Sequence, residues 1–135
     1  MKKESIIERE NEFIADFEEL GDWMLQYEYL LYFMDDVNDI PEQERTDDLK
    51  VKGCVSNAWL RISHDPFKIE LTSDALIIKG TLGCITTLIG DASPAEIAAW
   101  RPRFIEDTAL KKQLGVDRQK GIASILAKIR EASID

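Results

Sequence analysis

Cys54 stands in the stretch Lys52-Gly53-Cys54-Val55-Ser56-Asn57-Ala58-Trp59-Leu60, between a glycine and a serine-asparagine pair. Gly53 suits the residue before a tight turn that pushes the next side chain outward. Lys50, Lys52 and Arg61 flank the thiol, and cationic neighbours favour the thiolate, the nucleophilic form of cysteine. Free cysteine usually behaves as a small apolar core residue, but the turn residues on both sides make Cys54 the functional thiol of the chain. The only histidine, His64, comes ten residues later, so spacing gives no direct support for a local Cys-His pair. Cys84, in Thr81-Leu82-Gly83-Cys84-Ile85, lies inside a long apolar run and reads as core.

The two cysteines lack CxxC spacing and a histidine cluster, which argues against a zinc site or a disulfide framework and fits a reducing, cytoplasmic setting. The start Met1-Lys2-Lys3-Glu4-Ser5 has no apolar h-region and predicts no signal peptide. No stretch approaches the roughly 18 apolar residues of a membrane span. The net charge of −9 is unevenly placed: residues 1–48 hold 16 Asp and Glu against 4 Lys and Arg, residues 49–135 hold 10 against 13. Phosphate binding needs a basic footprint, so the acidic half argues against nucleic acid. It is either a solvated helix surface or a steering surface for a basic protein partner.

The elements that must position Cys54 follow from periodicity. One domain spans residues 1–135, long enough for a core without staples. An amphipathic helix runs from Ser5 to about Leu20 and closes at Gly21; Asp22 starts a second, to about Asp36, whose aromatic stripe reads as packing. A polar loop through Pro41 leads to three short strands: Leu49–Lys52, Asn57–Ser63 after the cysteine turn, and Phe67–Thr72 after the turn His64-Asp65-Pro66. Strict alternation in the last predicts one buried face. Trp59 is expected in the core.

Ser73-Asp74 reads as the start of a helix over Ala75–Ile89, apolar nearly all round and ending at Gly90. Gly80 and Gly83 inside it mark close approach to the sheet or to another helix. Ser93-Pro94 opens a short helix to about Trp100, Pro102–Leu114 is a further short helical stretch, and Gly121–Ala132 a closing amphipathic helix. The fold class is therefore α+β, a small antiparallel sheet of about three strands packed by helices.

Three segments carry a family resemblance. Gly53-Cys54-Val55-Ser56-Asn57-Ala58-Trp59-Leu60 resembles the G-C-x-S-x-x-W segment of the SufE family, sulfur acceptors that work with cysteine desulfurases in iron-sulfur cluster assembly. Ser73-Asp74-Ala75-Leu76-Ile77-Ile78-Lys79-Gly80 is similar to the family's S-D-A-x-I-V-K/R-G, and Leu114, Arg118, Gly121 and Ile122 to its L-x-P-S-R-x-x-G-L close. The chain departs at Val55 and Asn57, where the family has glutamines, and at Gly115-Val116-Asp117.

The resemblance implies a SufE/NifU-like fold with the cysteine between strands. It also implies that Cys54 accepts persulfide sulfur from a SufS-like cysteine desulfurase and passes it to a downstream iron-sulfur scaffold, stimulating the desulfurase. The chain would be a sulfur-transfer partner, not a stand-alone enzyme. It would need no cofactor of its own, pyridoxal phosphate residing in the desulfurase. Around Cys54, Lys52 and Ser56 would support the thiolate or the persulfide. Arg118 would sit by the cysteine as a cation or docking residue, or else in a surface salt bridge. Asp74 would be a helix-start charge or a partner contact. The rival readings are a regulatory module that carries no sulfur and a thiol redox sensor, which would need a base or a resolving thiol that buried Cys84 does not offer. An iron-sulfur scaffold, with more thiolates than Cys54 alone provides, is weaker still.

Overall fold

Capping chemistry starts the first helix where the sequence places it. The Ser5 amide donates to Glu8 Oε1 at 3.0 Å and the Glu8 amide to Ser5 Oγ at 3.1 Å, and α1 (Ile6–Leu20) ends at Gly21 with φ 67°, a left-handed residue that glycine adopts without strain. The computed structural model describes residues 4–52 and 57–134. After α1 come α2 (Trp23–Tyr32), 3-10 turns at Phe33–Asp36 and Glu42–Glu44, β1 (Ala58–Ser63), β2 (Lys68–Ser73), α3 (Leu76–Ile89), α4 (Pro94–Ala99) and α5 (Leu110–Ile134).

Strands β1 and β2 form an antiparallel hairpin in register from Ala58 opposite Ser73 to Ser63 opposite Lys68. The expected third strand is reduced to a single bridge, Lys50 with Trp59, flanked by Val51 N to Ala58 O (2.8 Å) and Leu60 N to Leu49 O (3.0 Å). It cannot lengthen upstream, because the amides of Leu49 and Lys50 already turn back onto the carbonyls of Thr46 and Asp47. Nor does β2 keep one face open: Glu70, Thr72 and Ser73 are buried along with Ile69 and Leu71. The segment around Asn38 covers its outer side, with Leu71 N donating to Asn38 O at 2.9 Å and Asn38 Nδ2 to Ile69 O at 3.1 Å. Glu70 is satisfied there by a two-pronged bond from Arg61 at 2.9 and 3.0 Å.

α3 is the central helix, burying Ile78, Leu82, Cys84, Ile85 and Leu88. Its two glycines allow the close approach their placement predicts, and the neighbour is α2 with the turn after it. A Cβ on Gly80 would lie 2.8 Å from Leu30 O, and one on Gly83 1.7 Å from Phe33 O. Phe13 and Phe17 of α1 stack with Tyr29 and Phe33 around this crossing; along the second helix's stripe Leu30 is buried and Trp23, Tyr27, Leu31 and Met34 are half-buried, whereas Met24 is exposed. Arg9 crosses the far end of α3, donating to the carbonyls of Leu88 and Ile89 at 2.8 Å each.

Buried Glu10 ties α1 to the chain after α4. It accepts from Trp100 Nε1 (3.2 Å), Arg103 N (2.6 Å) and Phe104 N (3.0 Å). Those bonds hold Arg101–Ala109 in turns, so the helix expected over Pro102–Leu114 starts only at Leu110. It then runs on through Gly115, a break with φ 76°, into the closing helix.

Candidate functional site

The chain on either side of Cys54 is fixed at both ends. On one side Val51 donates to Ala58 O; on the other Asn57 is held three times by the corner between β2 and α3. Asn57 O accepts from Ser73 Oγ at 2.7 Å and from Asp74 N at 3.2 Å, and Asn57 Nδ2 donates to Asp74 Oδ2 at 2.8 Å. Lys52 and Asn57, both exposed, are thus brought together at one end of the hairpin. Gly53, Cys54 and Ser56, the centre of the sequence-based site, lie outside the described residues.

Ser73 and Asp74 do not cap α3 in the expected way. Ser73 Oγ accepts from Ala75 N at 3.1 Å, so the helix begins at Leu76 and its cap residue is Ala75, which has no side-chain cap bond. The exposed Asp74 carboxylate is spent on Asn57. Sequence reading missed Asn57 as an anchor, since only the register opposing it to the Ser73-Asp74 corner reveals the role.

Of the cations near the thiol in sequence, Lys50 and Lys52 are exposed and pair with no carboxylate among the described residues. Arg61 is not available to a thiolate, being held by Glu70 and, at 2.8 Å, by Glu44. Hydrogen bonds to Glu70 and Glu44 raise its pKa further above the ordinary arginine value. Trp59 is not in the core; it is half-buried on the outer side of β1, with the Arg45 guanidinium 5.7 Å from its ring centre. His64 lies at the opposite end of the hairpin, bonded through Nε2 to Ala132 O at 3.2 Å. At about 3.3 Å per residue, the seven residues from Asn57 to His64 span roughly 23 Å, so His64 and Asn57 stand at opposite ends of the hairpin.

Arg118 projects from α5 along the stripe of buried Ile122, Ile125 and Ile129. It is half-buried, and its Nε is buried without a hydrogen-bond partner among the described residues. A surface salt bridge does not describe it. Cys84 is fully buried, and burial, then the nearby Asp36 charge, push its thiol well above the ordinary value, which leaves it protonated and inert.

No cluster of metal-binding side chains occurs among the described residues, and no helix there is long and apolar enough to cross a membrane. A cleft of about 400 Å³ opens at the hairpin-turn end, among Phe67, Ile69, Ile89, Pro94 and Ile97, away from the cysteine segment.

The α+β domain thus holds both flanks of the cysteine-bearing segment through Val51 and Asn57. The family model for the Fe-S metabolism associated domain SufE matches residues 11–133. An uncharacterized SufE-like protein of Rhizobium etli is 30% identical over 128 residues, covering 90% of this chain and 86% of the relative. Another uncharacterized SufE-like protein, from Rhizobium meliloti, is 28% identical over 128 residues, covering 89% and 91%. The chain belongs to the SufE family.

Proposed function

We propose that Cys54 accepts sulfur from the persulfide of a SufS-like, pyridoxal-phosphate-dependent cysteine desulfurase in the cytoplasm and hands it to an iron-sulfur scaffold. The Cys54 thiolate attacks the terminal sulfur of the desulfurase cysteine persulfide. The S–S bond breaks, the desulfurase thiolate leaves with the electron pair, and the terminal sulfur stays on Cys54 as a persulfide; no net oxidation or reduction occurs. Removing sulfur from the desulfurase frees it for another turnover, which is how the chain stimulates it. The chain itself brings no cofactor to the step.

The observation that carries this reading is the double clamp on the cysteine segment in a chain of SufE membership. Lowering a thiol's pKa raises its thiolate fraction but lowers its nucleophilicity, with a Brønsted slope of about 0.4 to 0.5, so much of the gain cancels. Holding two sulfurs in contact is worth effective molarities on the order of 10⁵ M or more. Docking geometry dominates, and the fixed ends at Val51 and Asn57 supply it on this side of the complex. Lys52, Ser56 and Arg118 would provide positive charge and hydrogen bonds to the sulfur, while Asp74 and Gly53 shape the segment.

The test is mass spectrometry after mixing with a desulfurase and cysteine. Adducts of one sulfur atom at a time are expected on the peptide containing Cys54, with none on Cys54→Ser and no stimulation by that variant. Full stimulation by Cys54→Ser would instead select a regulator that carries no sulfur.

A further inference from the structure

α2 is built inside out. In the sequence Trp23 to Tyr32 only Gln26 and Glu28 are neither apolar nor aromatic, a composition that normally belongs to a helix buried on all sides. Yet the polar Gln26 is buried, its amide donating to Phe17 O at 3.0 Å, while Met24 is 70%, Leu25 48% and Tyr32 78% exposed. Met24, Glu28 and Tyr32 lie four residues apart along one outer stripe, with Leu25 beside it. The helix cannot roll to hide that stripe, because its inner side at Leu30 is seated on Gly80 and the turn that follows it on Gly83, with no room for even a methyl group. Three of the seven large apolar side chains exposed among the described residues are therefore on this one ten-residue helix, and they are rigidly presented.

The surroundings say what could cover it. Between Arg9 and Arg45 the chain has twelve acidic residues and no Lys, Arg or His. Exposed Asp22 and Asp35 bracket the helix and Glu28 sits within the stripe. Such a rim repels a second copy of this face, a nucleic acid and an anionic membrane alike; it fits a protein surface with an apolar centre and a Lys/Arg border.

We propose that the outer face of α2 is a docking surface for a basic-rimmed apolar patch on the cysteine desulfurase. The partner's identity rests on the function proposed above. Leu30 near the end of α2 meets Gly80 and Phe33 in the turn after it meets Gly83, so the chain leaving α2 runs in the same direction as α3 across their contact. The Met24 end of the stripe therefore points toward the start of α3. That is where Asp74 anchors the cysteine segment and where Leu76 is 55% exposed. The stripe thus points to the end of α3 at which Asn57, a flank of the cysteine segment, is held.

Binding of the purified desulfurase to the Cys54→Ser chain, which cannot be loaded with sulfur, tests the surface separately from the chemistry. Met24→Ser, Glu28→Lys and Tyr32→Ser should each raise Kd, Tyr32→Ser by about tenfold or more, as large aromatic side chains buried by a partner do. Unfolding midpoints should hold, because these side chains touch little. The unmutated surface should lose affinity at least about fivefold between about 50 mM and 500 mM NaCl. Unchanged Kd values together with salt-independent binding would overturn the surface even if Cys54 still gained sulfur. A chain that self-associates through Tyr32, with dissociation on Tyr32→Ser, would overturn it too. Conversely, Kd shifts without any sulfur on Cys54 would uphold the surface and refute the acceptor role.

Discussion

Replacing Gly83 with alanine sets two effects of opposite sign against each other. In an exposed helix interior, glycine to alanine gains about 1 kcal/mol. Here the added Cβ would stand 1.7 Å from Phe33 O and 2.4 Å from Phe33 C, both backbone atoms, so no side-chain rotation relieves the overlap. Van der Waals contact requires the turn Phe33–Asp36 and α3 to separate by roughly 1.5 Å, opening a well-packed aromatic cluster. Overpacking of this kind outweighs propensity, and we expect a net loss of about 3 kcal/mol. For a chain of this length that lowers Tm by roughly 10 °C. Urea and thermal unfolding followed by circular dichroism read it directly. A variant as stable as the parent, or more stable, would refute the close approach, and with it the claim that α2 is locked in place. Gly115→Ala is the control: a Cβ there meets nothing within 4 Å, so only the strain of φ 76° remains.

Glu10→Ala should cost about 3 kcal/mol or more by unfolding titration, because it strands the buried donors of Trp100 and Phe104 and the part-buried amide of Arg103; a loss below about 1 kcal/mol would mean the carboxylate is incidental. The Arg61 hydrogen bonds hold the Glu70 carboxyl below its ordinary range, against the upward push of its burial. The folded value is the lower one, so this contribution to stability is complete above about pH 4.3 and fades as pH falls through the depressed value. Between about pH 5 and pH 2 the unfolding midpoint of Glu70→Gln should therefore fall less steeply than that of the parent; parallel curves would show that Arg61 does not couple to folding.

Much of the helical frame could be read from local chemistry. Ser5 with Glu8, Gly21, and Ser93 with Pro94 each settle their own helix ends by bonds within a few residues, and the sequence states them. What eluded it depends on partners distant in the chain. The third strand is cut to one bridge because the carbonyls of Thr46 and Asp47 capture the amides of its first two residues, Leu49 and Lys50. The stretch after Trp100 is kept from coiling by Glu10, some ninety residues earlier. Trp59 faces outward because its strand neighbours Ala58 and Leu60 take the buried face, and Arg45 lies over it there. The three motifs point to the family the chain belongs to, and the apolar run around Cys84 marks it as the core residue it is. Arg61 looked like an aid to the thiolate until Glu70 and Glu44, set beside it by strand register and loop path, claimed its charge.

The hairpin turn His64–Phe67 has a practical meaning. It sits at the pole of the sheet opposite the cysteine-bearing segment, and His64 there bonds the tail of α5 and packs on the ring of Phe67. A fluorophore or a tether inserted at this turn would report encounters between the chain and other proteins without standing in their way.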